Sequence, residues 1–163
     1  MILFPYFNLN LILNMDWTDF QILYWFFRKA DKVLYLGNVE LLNFTLLNSK
    51  EVYFISPEKI TLEKPNLKKF EDNPEYFDIS LLPKKINRII NLLPMNIITS
   101  FKVMGHFLKL LEKDKKFLVR IELPKKQERY ANLIINDLLP KFNVAKIAYL
   151  KIEDSNYIIG KKL

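Results

Sequence analysis

The chain has 163 residues, half of them hydrophobic and 14% aromatic, and this composition predicts a packed domain rather than a disordered chain. It contains no cysteine and one histidine, which excludes disulfides, cysteine-ligated zinc or iron–sulfur clusters, thiol catalysis and any site that needs two histidines. Its 25 basic and 18 acidic residues give a formal charge of +7, which favours a polyanionic partner. We expect no metal site and a cytoplasmic location.

Residues 1–15 form an apolar segment with neither a basic region nor a small-residue cleavage site, so they make a poor signal peptide. Pro5, Asn8 and Asn10 interrupt this segment, and it is too short to span a bilayer. We predict an apolar N-terminal arm that packs on the rest of the chain or on a second copy. Contact with a membrane surface and a true start at Met15 are the alternatives.

From residue 16 onward, the hydrophobic pattern changes between helical and strand spacing. In chain order it predicts a helix over 16–30, a strand over 32–36, a helix over 39–47, strands over 51–55 and 66–70, a short helix over 74–82, a strand over 86–91, an amphipathic helix over 96–111, a strand over 116–122, a helix over 125–139, and strands over 144–150 and 157–160. This order predicts one α/β domain over 16–163, with a Rossmann-like, mostly parallel sheet of the seven-stranded type and helices on both faces. The two consecutive strands at the end predict an antiparallel C-terminal hairpin.

Several short segments, taken in order, resemble motifs of the class I S-adenosylmethionine-dependent methyltransferases. They are DWTDF (16–20), KVLYLG (32–37), VYFI (52–55), NLKKFEDNPEY (66–76), NLLP (91–94), LVR (118–120) and DSNYIIG (154–160). The sequence is most similar to archaeal fibrillarin-like RNA 2′-O-methyltransferases, followed by the heat-shock-type ribosomal RNA 2′-O-methyltransferases. The resemblance implies S-adenosylmethionine as the cofactor, with Gly37, Asn38, Ser56 and Asp72 around it.

The cofactor loop departs from the family pattern. No second glycine follows Gly37, and we expect side chains such as Leu41 and Leu42 to occupy the space that the cofactor needs. Ser56 stands where the family has the acidic residue that binds the ribose hydroxyls, and residues 57–66 are too few for the usual helix. These departures favour a chain without a cofactor, with S-adenosylmethionine as the alternative.

The family's catalytic Lys-Asp-Lys-His group has no identical counterpart here. Its positions fall on Leu23, Asn91, Arg120 and Ser155. Asn91 has no carboxylate and Arg120 stays protonated, so neither can accept the proton of a ribose 2′-hydroxyl. The sequence therefore predicts a catalytically degenerate methyltransferase-fold protein that binds RNA or a protein partner. An active RNA methyltransferase with an atypical cofactor loop and an unrelated Rossmann-like binding protein are the alternatives.

Basic residues near the strand ends carry the hypothesis of RNA binding. The candidates are Lys84, Lys85, Arg88, Lys125, Lys126 and Arg129. Lysine attracts phosphates with little discrimination between bases, so we expect binding to fall steeply with added salt. A solvated charged face is the alternative. The dense aromatic residues up to Phe27 support a second hypothesis, a surface for a protein partner or a homodimer.

Overall fold

The computed structural model describes residues 17–163, except for the side chain of Asp31. Its helices and strands are, in chain order, α1 (Trp17–Phe26), β1 (Ala30–Leu36), α2 (Val39–Leu47), β2 (Ser49–Ser56), β3 (Leu67–Glu71), β4 (Ile86–Asn91), α3 (Ile97–Gly105), β5 (Leu111–Ile121), α4 (Ala131–Leu138), β6 (Val144–Ile152) and β7 (Ser155–Lys162). The arm predicted over 1–15 lies outside the described residues. None of the described helices is long and apolar enough to cross a membrane.

Seven strands form one sheet in the order β3-β2-β1-β4-β5-β7-β6. The neighbouring strands from β3 to β5 are parallel, whereas β7 runs antiparallel to both β5 and β6. This topology confirms the predicted Rossmann-like α/β fold and its C-terminal antiparallel hairpin. It also gives the sheet two distinct ends, because the parallel strands all point the same way.

We name these two ends by the strands β1, β2, β4 and β5. The carboxyl edge is where these strands end, at Leu36, Ser56, Asn91 and Ile121. The amino edge is where they begin, at Ala30, Ser49, Ile86 and Leu111. Ligands of open α/β sheets bind at the carboxyl edge, so this is where a site is expected.

Apolar layers cover both faces of the sheet. On one face, α1 and α2 pack against β1 and β2 through fully buried side chains such as Leu23 and Phe44. On the other face, α3 and α4 contribute Phe101 and Ile135, which are also fully buried. Since both faces are covered, the central strands read as nearly continuous hydrophobic runs, which is typical of parallel sheets.

The predicted helix over 74–82 is two separate 3-10 turns in the structure. The side chain of Asn73 accepts a hydrogen bond from the backbone N–H of Glu75 at 3.0 Å. The side chain of Asp78 accepts one from the backbone N–H of Ser80, also at 3.0 Å. Each of these polar side chains starts a new turn, so the helical pattern is broken between them.

Other predicted helices extend beyond the observed ones. The helix predicted over 96–111 ends at Gly105, where the ring of Phe142 leaves no room for a larger residue: a Cβ there would lie 2.6 Å from it. The helix predicted over 125–139 begins as a 3-10 turn and becomes α-helical only at Ala131. The first helix, α1, likewise stops before its predicted end. The segment between β2 and β3 contains no helix, as its shortness predicted.

Candidate functional site

A cleft of about 520 Å³ opens at the carboxyl edge of the sheet. Its walls come from α1 and from the segments that follow β1, β2 and β4, together with the end of β5. The lining residues are Asp19, Gly37, Asn38, Ser56, Pro57, Glu58, Leu92, Leu93, Pro94 and Arg120. The volume suits a small organic ligand, and the position is the one expected for this class of sheet.

The loop after β1 leaves the cleft open. Asn38 caps α2 by accepting a hydrogen bond from the backbone N–H of Leu41 at 3.1 Å, so the helix begins directly after the loop. Leu41 and Leu42 are fully buried in the apolar layer between this helix and the sheet. The expectation that these two leucines occupy the ligand space is therefore wrong, because they pack in the core.

The side chain of Tyr35 explains why residue 37 is glycine. The Tyr35 hydroxyl donates a hydrogen bond to the backbone carbonyl oxygen of Asn38 at 2.7 Å, which places it against the loop. A Cβ on Gly37 would lie 2.8 Å from the hydroxyl oxygen and 3.3 Å from the Cβ of Leu92. Gly37 does not have a positive φ angle, so close approach of neighbouring atoms requires the glycine, and not an unusual backbone conformation.

An acidic side chain does line the cleft after β2, although it is not at residue 56. Ser56 accepts a hydrogen bond from the backbone N–H of Glu58 at 3.2 Å, and the turn that this bond stabilises places Glu58 on the cleft wall. Asp72, the predicted adenine-side residue, is exposed and is not among the lining residues. Its backbone N–H donates to the carbonyl oxygen of Ser56 at 2.9 Å. Sequence reasoning missed Glu58 because the turn shifts the acid beyond the expected position.

Asp19, Arg120 and Tyr157 form a buried polar group at the cleft, the Asp19–Arg120–Tyr157 cluster. The Nη1 atom of Arg120 lies 3.0 Å from both carboxylate oxygens of Asp19. The Tyr157 hydroxyl donates to the same carboxylate at 2.5 Å. Asp19 is 2% exposed and Tyr157 is fully buried. Burial, followed by the hydrogen bond to Asp19, raises the pKa of Tyr157 far above its ordinary value.

Two hydroxyl side chains extend this cluster. The Thr18 Oγ1 atom donates to the Ser155 Oγ atom at 3.2 Å and shares a hydrogen bond of 2.9 Å with the Tyr157 hydroxyl. Ser155 is one of the predicted catalytic positions, and the structure brings it into the same network as Arg120. The network thus joins α1, β5 and β7.

The other two predicted catalytic positions are buried elsewhere. Asn91 is fully buried at the end of β4, where its Oδ1 atom accepts a hydrogen bond from the backbone N–H of Leu93 at 3.1 Å. Its Nδ2 atom has no hydrogen-bond partner among the described residues. Leu23 is fully buried in the apolar layer under α1. Neither is among the residues that line the cleft.

Sequence reasoning missed Asp19 and Tyr157. From the sequence, Asp19 is interpreted as a helix-capping residue at the start of α1, and Tyr157 as an ordinary strand residue. Their proximity depends on the pairing of β7 with β5, in which Tyr157 is the partner of Arg120. That register is a tertiary property with no local sequence signal.

Comparison with known proteins identifies the fold. No family model matches the sequence, and no curated protein matches it. A Listeria monocytogenes protein, proposed to be an S-adenosylmethionine-dependent methyltransferase, matches with a TM-score of 0.69 and 13% identity over 89% of this chain and 96% of its own. A proposed methyltransferase from Streptococcus mutans, solved in complex with SAH, matches with a TM-score of 0.62 and 16% identity. The match covers 90% of this chain and 95% of the Streptococcus mutans chain.

A third match links the fold to RNA processing in another protein. The fibrillarin pre-rRNA processing protein of Methanococcus jannaschii matches with a TM-score of 0.60 and 13% identity, over 83% of this chain and 67% of its own. The chain has the class I methyltransferase fold. The resemblance drawn from the strand motifs is confirmed at the level of the fold.

The predicted RNA-binding residues lie at opposite ends of this methyltransferase fold. Lys125, Lys126 and Arg129 are exposed on the 3-10 turn that follows β5, at the carboxyl edge. Lys84 and Lys85 are exposed directly before β4, at the amino edge. The strand directions thus separate the predicted residues into two groups, one at each end of the sheet.

Arg88 is held inside the methyltransferase fold more firmly than the lysines. It is half-buried in β4, and its Nη1 atom donates to the carbonyl oxygen of Phe26 at 2.9 Å. Its guanidinium also lies 4.9 Å from the centre of the Phe26 ring. This packing gives Arg88 a structural contact with the end of α1.

The described part of the N-terminal aromatic region divides into buried and exposed rings. Phe26 and Phe27 are buried, whereas Trp17 and Trp25 are 51% and 78% exposed. Trp25 and Leu150 are among the residues that line an apolar groove of about 400 Å³ between α1 and β6. The protein-partner or homodimer surface stays a prediction. Among the described residues, no group of three or more His, Cys, Asp or Glu could hold a metal ion.

Proposed function

We propose that this methyltransferase-fold protein binds RNA and does not catalyse methyl transfer. The observation that carries the proposal is the Asp19–Arg120–Tyr157 cluster at the cleft. Methyl transfer to a hydroxyl is assisted by a group that accepts the hydroxyl proton. Arg120 keeps its proton, and the raised pKa of Tyr157 keeps its hydroxyl protonated at neutral pH. The Asp19 carboxylate already accepts hydrogen bonds from both.

The end of β4 supports the same conclusion. The sequence resemblance aligns Asn91 with the family's catalytic aspartate, and an amide neither accepts nor releases a proton near neutral pH. It is fully buried, and its oxygen is used by the backbone N–H of Leu93. In this proposal the cluster at the cleft offers hydrogen-bond donors and an ion pair, and Asn91 offers no carboxylate.

Charge and fold together favour RNA as the partner. The formal charge of +7 favours a polyanionic partner, and phosphate attraction supplies most of the affinity in non-specific nucleic-acid binding. One of the solved proteins with this fold is a pre-rRNA processing protein. Exposed lysine and arginine side chains supply this positive charge.

A binding assay and a transfer assay test the two halves of the proposal separately. Fluorescence anisotropy with labelled single-stranded RNA, in about 50 mM salt, should show binding whose affinity falls steeply as salt is added. Transfer of radiolabelled methyl groups from S-adenosylmethionine to total RNA should stay at background. Methylation above background would overturn the non-catalytic half. Absence of RNA binding at low salt would overturn the other half.

The open cleft favours a second candidate, an active S-adenosylmethionine-dependent RNA methyltransferase with an atypical cofactor loop. The Streptococcus mutans protein of this fold holds SAH. In this chain, Gly37 lines the cleft, Glu58 offers a carboxylate to ribose hydroxyls, and Leu92 supplies an apolar contact. The cofactor, when bound, supplies the methyl group.

Calorimetric titration with S-adenosylhomocysteine separates the two candidates. Micromolar binding that Glu58→Gln weakens at least about tenfold would support the second candidate, because a tenfold loss matches one charged hydrogen bond. Asp72→Ala is the matched control, since Asp72 is an exposed acid at the same edge but outside the cleft lining. No heat of binding at millimolar ligand would retire the second candidate.

A further inference from the structure

Positive charge gathers at the amino edge of the sheet. Basic side chains reach this edge from the end of α1, from the starts of β4 and β5, and from the end of the antiparallel strand β7. They are Arg28, Lys29, Lys84, Lys85, Lys113, Lys115, Lys116 and Lys161. All are exposed except Lys161, which is half-buried. None of the lysines in this set forms an ion pair with another described residue.

The strand register aligns three basic residues in a row across neighbouring strands. Arg88 in β4 pairs with Lys116 in β5, and Lys116 pairs with Lys161 in β7. Paired residues lie on the same face of a sheet with Cβ atoms about 5 Å apart, and like charges placed opposite each other are destabilising. Burial and then the charge of Arg28 lower the pKa of Arg88. An anionic partner lying across the row would offset this repulsion.

A bulge at the start of β5 exposes further lysines at the same edge. The pairing register of β4 and β5 shifts near the start of both strands, where residues 112–115 are placed. Asp114 adopts a left-handed φ of 65° there. Lys113 and Lys115 are both exposed on this bulge. The bulge therefore places two more positive charges beside the row.

The acidic side chains near this edge leave the charge largely unneutralised. The described acidic side chains near this edge are Glu51, Glu112 and Asp114, which are fewer than the eight basic side chains. Asp114 is exposed, but a lysine precedes it and two lysines follow it in the sequence. The bulge and the residue that follows it thus remain net positive.

We infer that the phosphate backbone of RNA binds across the amino edge, at the end of the sheet opposite to the cleft. The inference rests on the proposed function and adds where on the molecule the RNA binds. Lysine side chains act on phosphates as point charges, so this surface recognises the backbone rather than base edges. Every side chain of residues 112–116 is charged, so this segment offers no apolar side chain for insertion into a bilayer.

A triple variant at the amino edge tests the inference. Lys85→Gln, Lys113→Gln and Lys116→Gln together remove three exposed positive charges without removing apolar contacts. We expect the Kd for labelled single-stranded RNA to rise about tenfold or more at low salt, and the slope of log Kd against log salt to fall by about 2. Fluorescence anisotropy measures both quantities, and circular dichroism checks that the variant is folded.

A matched triple variant at the carboxyl edge serves as the control. Lys125→Gln, Lys126→Gln and Arg129→Gln remove the same charge from exposed positions next to the cleft. We expect a rise in Kd of no more than about threefold, since the loss of net charge alone weakens attraction only modestly. A larger loss in this variant than in the amino-edge variant would overturn the inference and leave RNA binding by the protein intact.

Two further outcomes distinguish failure of the inference from failure of the proposed function. If the wild-type protein does not bind RNA, both the proposed function and this inference are overturned. Vesicles of phosphatidylcholine and phosphatidylserine provide the second comparison. If the wild type binds these vesicles more tightly than RNA, and the amino-edge variant loses that binding, the surface belongs to a membrane contact and the inference is wrong.

Discussion

The two edges of the sheet carry positive charge in opposite ways. At the carboxyl edge, Arg120 lies 3.0 Å from the Asp19 carboxylate and Lys151 lies 2.9 Å from Glu128. At the amino edge, Lys116 lies opposite another lysine in the paired strand, and neither forms an ion pair with a described residue. Arg120 and Lys151 at the cleft end are thus paired with carboxylates, whereas Lys116 and Lys161 at the opposite end have like charges facing each other.

Two arginines show the same contrast at closer range. Arg120 contacts a buried carboxylate, so its charge is largely cancelled within the protein. Arg88 instead contacts the carbonyl oxygen and the ring of Phe26, neither of which carries a negative charge that would cancel its own. The degree of burial therefore does not decide whether an arginine adds to the surface field. The charge of its contacts does.

The largest expected effect comes from removing the carboxylate at the carboxyl edge. Asp19→Asn takes away the negative charge that Arg120 and Tyr157 contact, and Arg120 would remain mostly buried with its charge. Breaking a buried pair by removing one partner costs about 3 kcal/mol or more. We expect the free energy of unfolding, measured by urea denaturation, to fall by about 3 kcal/mol.

The neighbouring acid provides the control for that variant. Glu122 lies 3.6 Å from Arg120 but its side chain is 50% exposed, so solvent screens the pair. Glu122→Gln should change the free energy of unfolding by no more than about 0.5 kcal/mol. A loss in Asp19→Asn as small as the loss in Glu122→Gln would mean that the carboxyl edge does not depend on its internal ion pair.

A second prediction concerns the close packing under the loop that follows β1. Gly37→Ala should lower the free energy of unfolding by about 1–2 kcal/mol, because the added Cβ would lie 2.8 Å from the Tyr35 hydroxyl oxygen. Tyr35→Phe alone should cost about 1 kcal/mol through loss of its hydrogen bond to Asn38. The double variant should lose less stability than the two single variants together, since phenylalanine at residue 35 has no hydroxyl oxygen to clash with the new Cβ at residue 37. A double-mutant cycle of urea denaturation measures this coupling, and strict additivity would contradict it.

Local signals account for the parts of the fold that could be predicted. The predicted bounds of the strand over 86–91 and of the helix over 39–47 agree with the observed ones. Asn38 caps the helix, and a buried apolar run marks the strand. The helix predicted over 96–111 was too long because it ends where Gly105 meets a distant aromatic ring. Such an end depends on tertiary packing, which no local pattern contains.

The site divides in a similar way. Its place at the carboxyl edge follows from the alternation of strands and helices, so the cleft could be predicted. Asp19 and Tyr157 could not, since they meet only because β7 pairs with β5. The two basic groups lie at opposite ends of the sheet. Lys84 precedes β4 and Lys125 follows β5, and because these two strands are parallel, the start of one lies far from the end of the other.

A smaller effect should appear when the repulsion at the amino edge is relieved. Lys161→Glu places a carboxylate opposite Lys116, and an opposite-charge pair across strands contributes about 0.5 kcal/mol. We expect urea denaturation to show a gain in stability of this size, while RNA affinity falls. Lys141→Glu is the control, because Lys141 is an exposed residue in a 3-10 turn rather than in a strand pair. Equal changes in both variants would contradict a specific repulsion at Lys116.

The smallest expected effect is on the single histidine, which reports the field at the amino edge. His106 follows α3, and burial lowers its pKa below the ordinary value of 6.5, with the charge of Lys109 adding to the decrease against an opposing hydrogen bond with Pro74. His106 in the folded state therefore binds a proton less tightly than in the unfolded chain. The free energy of unfolding should accordingly decrease as the pH falls below 6.5. NMR titration should give a pKa that rises in Lys109→Gln and on addition of salt. If neither change raises the pKa of His106, the charge of Lys109 has no measurable effect on this side chain. The positive field at the amino edge would then come from the other lysines alone.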